Sequence, residues 1–264
     1  MAGFENKWIW ITGASSGLGR AMALVFSKEN ANLILSSRNV DKLEDVRNEC
    51  TGTGRKEILT LDLQSESEFP EKVDQALSFG GAIDILINNG GISQRAQAVN
   101  TQPEVARKLF EVNFFGTIEL TRQVLPSMID RNRGHIVVIS SVVGKFGSPL
   151  RSTYSASKHA LHGYFDSLRF EVQDNGIDVS IICPGFIQTE VSRNALTANG
   201  NPQGKMDNKT SKGLTPEEFG SKVLNAIRKR KKEAYIGKYE VLGVHVKRFL
   251  PNLFHKIISR SEVT

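Results

Sequence analysis

Tyr154 and Lys158 stand four residues apart at the end of Ser141-Val-Val-Gly-Lys-Phe-Gly-Ser-Pro-Leu-Arg-Ser-Thr-Tyr-Ser-Ala-Ser-Lys158. On a helix, that spacing stacks a phenol and an ammonium on one face. A phenol titrates near ~10, so it exchanges protons at neutral pH only where positive charge stabilises its phenolate. Lys158 supplies such a charge. Ser141 follows the apolar run His135-Ile-Val-Val-Ile-Ser140, which places its hydroxyl at the carboxyl end of a strand, where open α/β sheets hold their ligands. There it can bind a substrate oxygen beside the phenol. A tyrosine packed against a lysine stem gives the same spacing without chemistry, so the surrounding elements decide between the two.

Those elements repeat as strand then helix. Residues 7–12 read as a buried strand, followed by Thr12-Gly13-Ala14-Ser15-Ser16-Gly17-Leu18-Gly19 and then by Ala21, Leu24, Val25 and Phe26 at helical spacing. Strand, glycine turn and helix in that order aim backbone N–H groups at an anion such as a pyrophosphate. The spacing is G-x3-G-x-G rather than the common G-x-G-x-x-G.

A second strand, 32–37, ends at Arg38 and Asn39 without an acid at Ser36 or Ser37. An acid here selects a free ribose 2′-hydroxyl and an arginine accommodates a 2′-phosphate, so Arg38 favours NADP(H) over NAD(H). A third strand, 57–61, ends at Asp62, which either accepts from an adenine amine or caps a turn. A helix near 65–78 precedes the strand 84–87 and Asn88-Asn89-Gly90-Gly91, where glycines let backbone approach a flat ligand. Residues 103–130 read as one helix carrying Asn113 among Phe110, Val112, Phe114 and Phe115. A mid-helix asparagine is unfavourable unless its side chain binds a water or a backbone group. The helix bearing Tyr154 runs to about 174, and a strand at 177–183 ends in Pro184-Gly185. The expected fold is α/β, a Rossmann-type doubly wound parallel sheet of about seven strands with helices on both faces and a C-terminal amphipathic helical extension.

Taken in order, Thr12-Gly-x3-Gly-x-Gly19, Asn88-Asn-x-Gly91, Asn113, Ser141, Tyr154-x3-Lys158 and Pro184-Gly185 resemble the short-chain dehydrogenase/reductase family, in its single-domain oxidoreductase branch, over roughly residues 7–190. The resemblance implies Tyr154 as general acid/base and Lys158 as the group that lowers its pKa and holds the nicotinamide ribose. It further implies Ser141 as the group that orients the carbonyl, and Asn113 as the holder of a relay water. It implies a cofactor held by Gly13, Ser15, Ser16, Gly17, Leu18, Gly19, Arg38, Asn39, Asp62, Leu63, Asn89 and Gly90. Tyr154, Lys158, Pro184, Gly185, Ile187 and Thr189 complete that set, with Thr189 on the nicotinamide carboxamide. Gly90 departs from the alanine usual in the family and is expected to loosen packing.

Residues 190–214, rich in Asn, Gly, Ser and Lys, are expected to form a mobile substrate lid or plain disorder. Thr215-Pro-Glu-Glu218 reads as a capped helix start, with the helix running to about Lys231 and a last strand at 233–236. The tail from 239 alternates apolar residues with Lys247, Arg248, His255, Lys256 and Arg260, and Pro251 divides it into two helical pieces. Its apolar face needs a cover, by preference the protein's own pocket or a second subunit, then a membrane surface. Such a tail resembles hydroxysteroid-dehydrogenase-like members of the family, which implies a bulky hydrophobic carbonyl or alcohol as the small-molecule substrate.

At 264 residues the chain suits one α/β domain spanning 1–264. Cys50 and Cys183 lie in no metal-ligand or CxxC spacing, which indicates no metal site and a reducing compartment. With no signal peptide or spanning run, the expected location is cytoplasmic, with peripheral membrane association as the variant. The net charge of +6 is spread along the chain except at Arg228-Lys-Arg-Lys-Lys232, a solvated helix end, so no nucleic-acid partner is expected. The family resemblance implies a homo-dimer or homo-tetramer. The leading reading is an NADP(H)-dependent oxidoreductase interconverting a ketone or aldehyde with an alcohol. The alternative is a non-catalytic NADP(H)-sensing or membrane-surface protein.

Overall fold

The computed structural model describes residues 3–260, so residues 1–2 and 261–264 of the expected domain and C-terminal extension lie outside the described residues. Strands β1 (Trp8–Thr12), β2 (Asn32–Ser36), β3 (Lys56–Ile58), β4 (Ile85–Asn88), β5 (Gly134–Ile139), β6 (Ile177–Pro184) and β7 (Glu233–Ile236) form one sheet in the order β3-β2-β1-β4-β5-β6-β7. Every pairing is parallel, with Ile9 facing Leu33 on one side and Ile85 on the other. The strand order reverses between β1 and β4, which opens a crevice at their carboxyl ends.

Both faces of the sheet are covered, which is why β1, β4 and β5 are buried along their whole length and read as near-continuous apolar runs rather than alternating. The pleat sends Ile9 and Ile11 to one side, onto α1 (Gly17–Lys28) and α8 (Pro216–Arg228), through Met22, Phe26, Phe219 and Val223. Trp8 and Trp10 point to the other side, onto α3 (Phe69–Ser78), α5 (Gly116–Asp130) and α6 (Ser152–Val172), through Val73, Val124, Leu161 and Phe165.

Three local differences from the sequence reading have physical causes. The third strand is shorter than 57–61, although Leu59 and Leu61 N–H still bond Leu35 and Ser37 carbonyls at 3.0 and 3.1 Å. The helix expected over 103–130 is α4 (Pro103–Phe110) and α5 joined by a π-helical turn, Glu111–Phe115, centred on Asn113. Such turns concentrate where a side chain is wanted out of regular register. Residues 190–214 are neither open nor structureless: Leu196 N–H bonds the Ser93 carbonyl at 2.9 Å, Arg95 N–H bonds the Leu196 carbonyl at 2.8 Å, and the short helix α7 (Asn208–Ser211) follows a buried Asp207.

The expected cap of α8 is present as a capping box, Glu218 N–H on the Thr215 hydroxyl at 3.2 Å and Thr215 N–H on the Glu218 carboxylate at 2.8 Å. That helix ends at Arg228, three residues before the expected Lys231. The tail forms α9 (Leu242–Phe249) and α10 (Pro251–Ser259), and Pro251 opens the second. Its inner face packs Phe254 on Phe146, ring centroids 4.9 Å apart, beside Val142, Val143 and Tyr154. Among the described residues no helix is long and apolar enough to cross a membrane.

Candidate active site

The glycine turn after β1 is shaped by the loop after β4. Asn89 donates its amide to the Thr12 and Gly13 carbonyls at 2.9 and 3.2 Å, while Asn89 and Gly90 N–H share the Thr12 hydroxyl at 3.0 and 2.9 Å. A Cβ on Gly19 would lie 2.2 Å from the Gly13 carbonyl, and Gly13 itself takes φ +64°, where a Cβ would lie 2.9 Å from the Gly90 Cα. Only glycine satisfies both positions. Ser16 occupies the N-cap of α1 without bonding the helix through its side chain, which leaves first-turn N–H groups of the helix for an anion. Thr189 closes over this turn, 3.4 Å from the place a Gly17 Cβ would occupy. Turn, helix end and cover together fit a dinucleotide pyrophosphate.

At the far end of β2, Arg38 is exposed, while Asn39 caps α2 (Val40–Glu49) by accepting from Lys42 N–H at 2.9 Å. Asp62 accepts from Gln64 N–H at 3.1 Å, the turn-capping of its two readings, and is part-buried. Gly90 does not loosen the packing as expected. Leu63 Cδ1 stands 2.7 Å from where an alanine Cβ would be and already fills that space.

The acid-base candidates converge beyond β4 and β5. Asn113, turned inward by the π segment, clamps the Ile92 backbone from both sides: its Oδ1 accepts from Ile92 N–H at 2.8 Å and its Nδ2 donates to the Ile92 carbonyl at 2.9 Å and to the Ser157 hydroxyl at 3.1 Å. It therefore serves backbone groups, one of the two uses open to it. Gly91 is where Asn113 and Lys158 approach, Oδ1 3.0 Å and Nζ 3.6 Å from its absent Cβ.

Ser141 accepts from Val143 N–H at 3.3 Å, and its hydroxyl donates to the Pro184 carbonyl at 3.5 Å. Lys158 donates to the Ile139 carbonyl at 2.9 Å, and its Nζ is 6.0 Å from the Tyr154 ring centre. Burial pushes the phenol of Tyr154 up, against Arg151, Ser141 and Arg95, which pull it down. Lys158 is pushed down to about 8 by burial. The cations that favour the phenolate here are thus the two arginines rather than the lysine singled out by spacing.

Pro184 and Gly185 close β6, and Ile187 pairs with Leu214. Glu240 was not visible as a partner in the sequence. Its carboxylate accepts from Phe186 and Lys238 N–H at 2.8 and 3.1 Å and lies 2.0 Å from where a Gly185 Cβ would sit, so it locks the Pro184-Gly185 turn. Gln94 is a second such residue: its Oε1 accepts from Thr153 and Tyr154 N–H at 3.0 and 3.3 Å, capping α6 from another element. The third group is Arg95, Arg151 and Asp207, buried together. All are contacts across long stretches of chain, and no spacing rule reports them. Among the described residues no group of three or more His, Cys, Asp or Glu is arranged to hold a metal.

Comparison with known proteins places these features in one family. The model of the short chain dehydrogenase family matches residues 7–200. The chain is similar to the mouse dehydrogenase/reductase SDR family member 7B, 40% identical over 261 residues that cover 97% of this chain and 81% of the mouse protein. Its fold is similar to a short chain dehydrogenase/reductase from Burkholderia phymatum in complex with NAD, with TM-score 0.84, 23% identity and 96% of each chain covered. It is also similar to an alcohol dehydrogenase from Thermococcus sibiricus complexed with 5-hydroxy-NADP, with TM-score 0.75, 23% identity and 88% and 97% of the two chains covered.

Proposed function

The chain belongs to the short chain dehydrogenase family and is an oxidoreductase acting on CH–OH groups with NAD(P)(H); on that premise we propose that it reduces a bulky hydrophobic ketone or aldehyde with NADPH, using Tyr154 as the proton donor. The observation that carries this reading is the placement of Lys158 Nζ 6.0 Å from the Tyr154 ring centre on α6, with Ser141 at the turn after β5, at the carboxyl edge of the sheet that holds the glycine cradle. When bound, the nicotinamide supplies the hydride. Ser141 holds the carbonyl oxygen, and Tyr154 gives its proton to the alkoxide that develops there. Lys158 turns from the Ile139 carbonyl toward the nicotinamide ribose, and Asn113 fixes the Ile92 segment that frames the site and supports a relay water.

Three features support the finer points. Arg38 stands exposed at the end of β2 with no acid at Ser36 or Ser37, which favours a 2′-phosphate. Apolar side chains flank Tyr154 on both sides, Val143, Phe146 and Phe254 on one and Val105, Leu109 and Leu196 on the other, as a steroid- or lipid-like substrate requires. In this reading residues 1–264 act as one cofactor-binding unit, 190–214 close over the substrate and 239–264 wall the pocket. A homo-oligomer forms along the face of α4 and α6, where Phe110 and Phe115 border an open groove.

Cofactor oxidation by the wild type and by Tyr154→Phe, screened over ketones, quinones, steroids and retinoids, tests the reading. The variant is expected to lose ~10²–10⁴-fold in turnover while still binding NADPH. A variant that kept its activity would move the protein to the cofactor-sensing alternative, and tighter binding of NAD than of NADP would overturn the cofactor assignment.

A further inference from the structure

Asp207 lies in the 190–214 segment with its side chain fully buried, against Arg95 and Arg151 side chains that are 5% and 8% exposed. One carboxylate oxygen, Oδ2, accepts from Arg95 Nε at 2.9 Å and from Arg151 Nη2 at 3.2 Å, and Oδ1 accepts from Gln203 at 3.0 Å. Arg95 is held further by the Ser93 hydroxyl, at 3.0 Å, and the Gln94 carbonyl. Removing such a cluster from water costs several kcal/mol per ion, and apolar side chains would fill the space at less cost. Its position suggests what retains it. Arg151 precedes Tyr154 by three residues at the start of α6, and Arg95 adjoins Gln94, which caps the Thr153 and Tyr154 N–H groups.

We propose that Arg95, Asp207 and Arg151 are positioning residues that set the proton affinity of Tyr154, the two guanidiniums favouring its phenolate and the loop carboxylate moderating them. The inference rests on the reading of Tyr154 as the acid-base group. The charged and polar groups around Tyr154 are placed by element: Arg151 and Lys158 on its own helix three and four residues away, Ser141 on the turn after β5, Arg95 on the loop after β4 next to the Gln94 that holds the Tyr154 N–H, and Asp207 bonded to both arginines. The tail and α4 meet the tyrosine with apolar side chains, Phe254, Val105 and Leu109. Burial alone raises the phenol, and Arg151 and Arg95 are among the groups that oppose it.

Opposite signs separate this role from plain scaffolding. Removing a cation with Arg95→Met should raise the Tyr154 titration midpoint, and removing the anion with Asp207→Asn should lower it, each by ~0.5–1 pH unit. The midpoint is read from ultraviolet tyrosinate absorbance of the full chain, taken as the difference between each variant and the same variant carrying Tyr154→Phe. Arg95→Lys and Asp207→Glu, which keep the charges, should hold the wild-type midpoint. Shifts in the same direction, or none, would overturn the proposal. If Asp207→Asn does not fold, Arg95→Met against Arg95→Lys decides alone, and equal midpoints defeat the idea. The titration needs no turnover, so the two claims fail separately. Unmoved midpoints with an inactive Tyr154→Phe sink only this inference, and opposed midpoints with an active Tyr154→Phe sink only the assigned reaction.

Discussion

Lys158 carries a cost that function explains. Its ammonium sits in the interior against a single carbonyl, that of Ile139, and burial lowers its pKa from 10.5 to about 8. Because the folded value lies below the unfolded one, the unfolded chain binds more protons between them. This contribution to stability therefore rises as pH climbs through the window from about 8 to 10.5 and is at its worst below it. At neutral pH the shift corresponds to at most roughly 3 kcal/mol, from which ~1 kcal/mol is lost if the Ile139 carbonyl goes unpaired. Lys158→Met should therefore stabilise the protein by ~2 kcal/mol in neutral denaturant melts while abolishing turnover. The gain should shrink above the titration of a free lysine, and a variant less stable than the wild type at neutral pH would contradict this account. The residues proposed for the chemistry were legible because their spacing is local: Tyr154 and Lys158 a helical turn apart, Ser141 at a strand end. Arg151 and Arg95 were not, because their partner Asp207 lies 56 and 112 residues away.

Among the elements, the π turn at Glu111–Phe115 is the one whose irregularity has a use. It rotates Asn113 inward so that its amide satisfies both backbone groups of Ile92, in the loop that leads from β4 to Arg95. Asn113→Ala would leave a buried donor and a buried acceptor unmatched, for ~2–4 kcal/mol of lost stability. Hydrogen exchange should rise first at Ile92 and its neighbours. Unchanged protection there would show that the asparagine is dispensable to the loop. A polar residue among phenylalanines marked this helix as unusual, but periodicity alone does not distinguish a π turn from a regular one. The capping box at Thr215 and Glu218 was readable because it is a four-residue pattern. The anchoring of residues 190–214 was not, since composition reports solubility and the segment is held by backbone pairing to Ser93 and Arg95.

For the whole molecule, seven parallel strands were legible from the repeat of apolar runs and helical stretches, and their order places the glycine turn and the Asn89 loop side by side at the reversal. The surfaces of the proposed homo-oligomer are ones the pattern does not mark. Phe115 is 45% exposed beside the groove between α4 and α6, and a buried aromatic anchor is typically worth ~2 kcal/mol at an interface. Phe115→Asp is accordingly expected to weaken self-association about 30-fold in sedimentation velocity, and an unchanged oligomer would place the interface elsewhere, with the outer face of α9 and α10 the next surface to test. The central claim concerns the reaction itself, and transfer of label tests it most directly. With NADPH deuterated at the transferring carbon of nicotinamide and a bulky apolar ketone, mass spectrometry should find deuterium on the carbinol carbon of the wild-type product and essentially none with Tyr154→Phe. Cofactor oxidation without deuterium in the product, or equal labelling by the variant, would contradict the account.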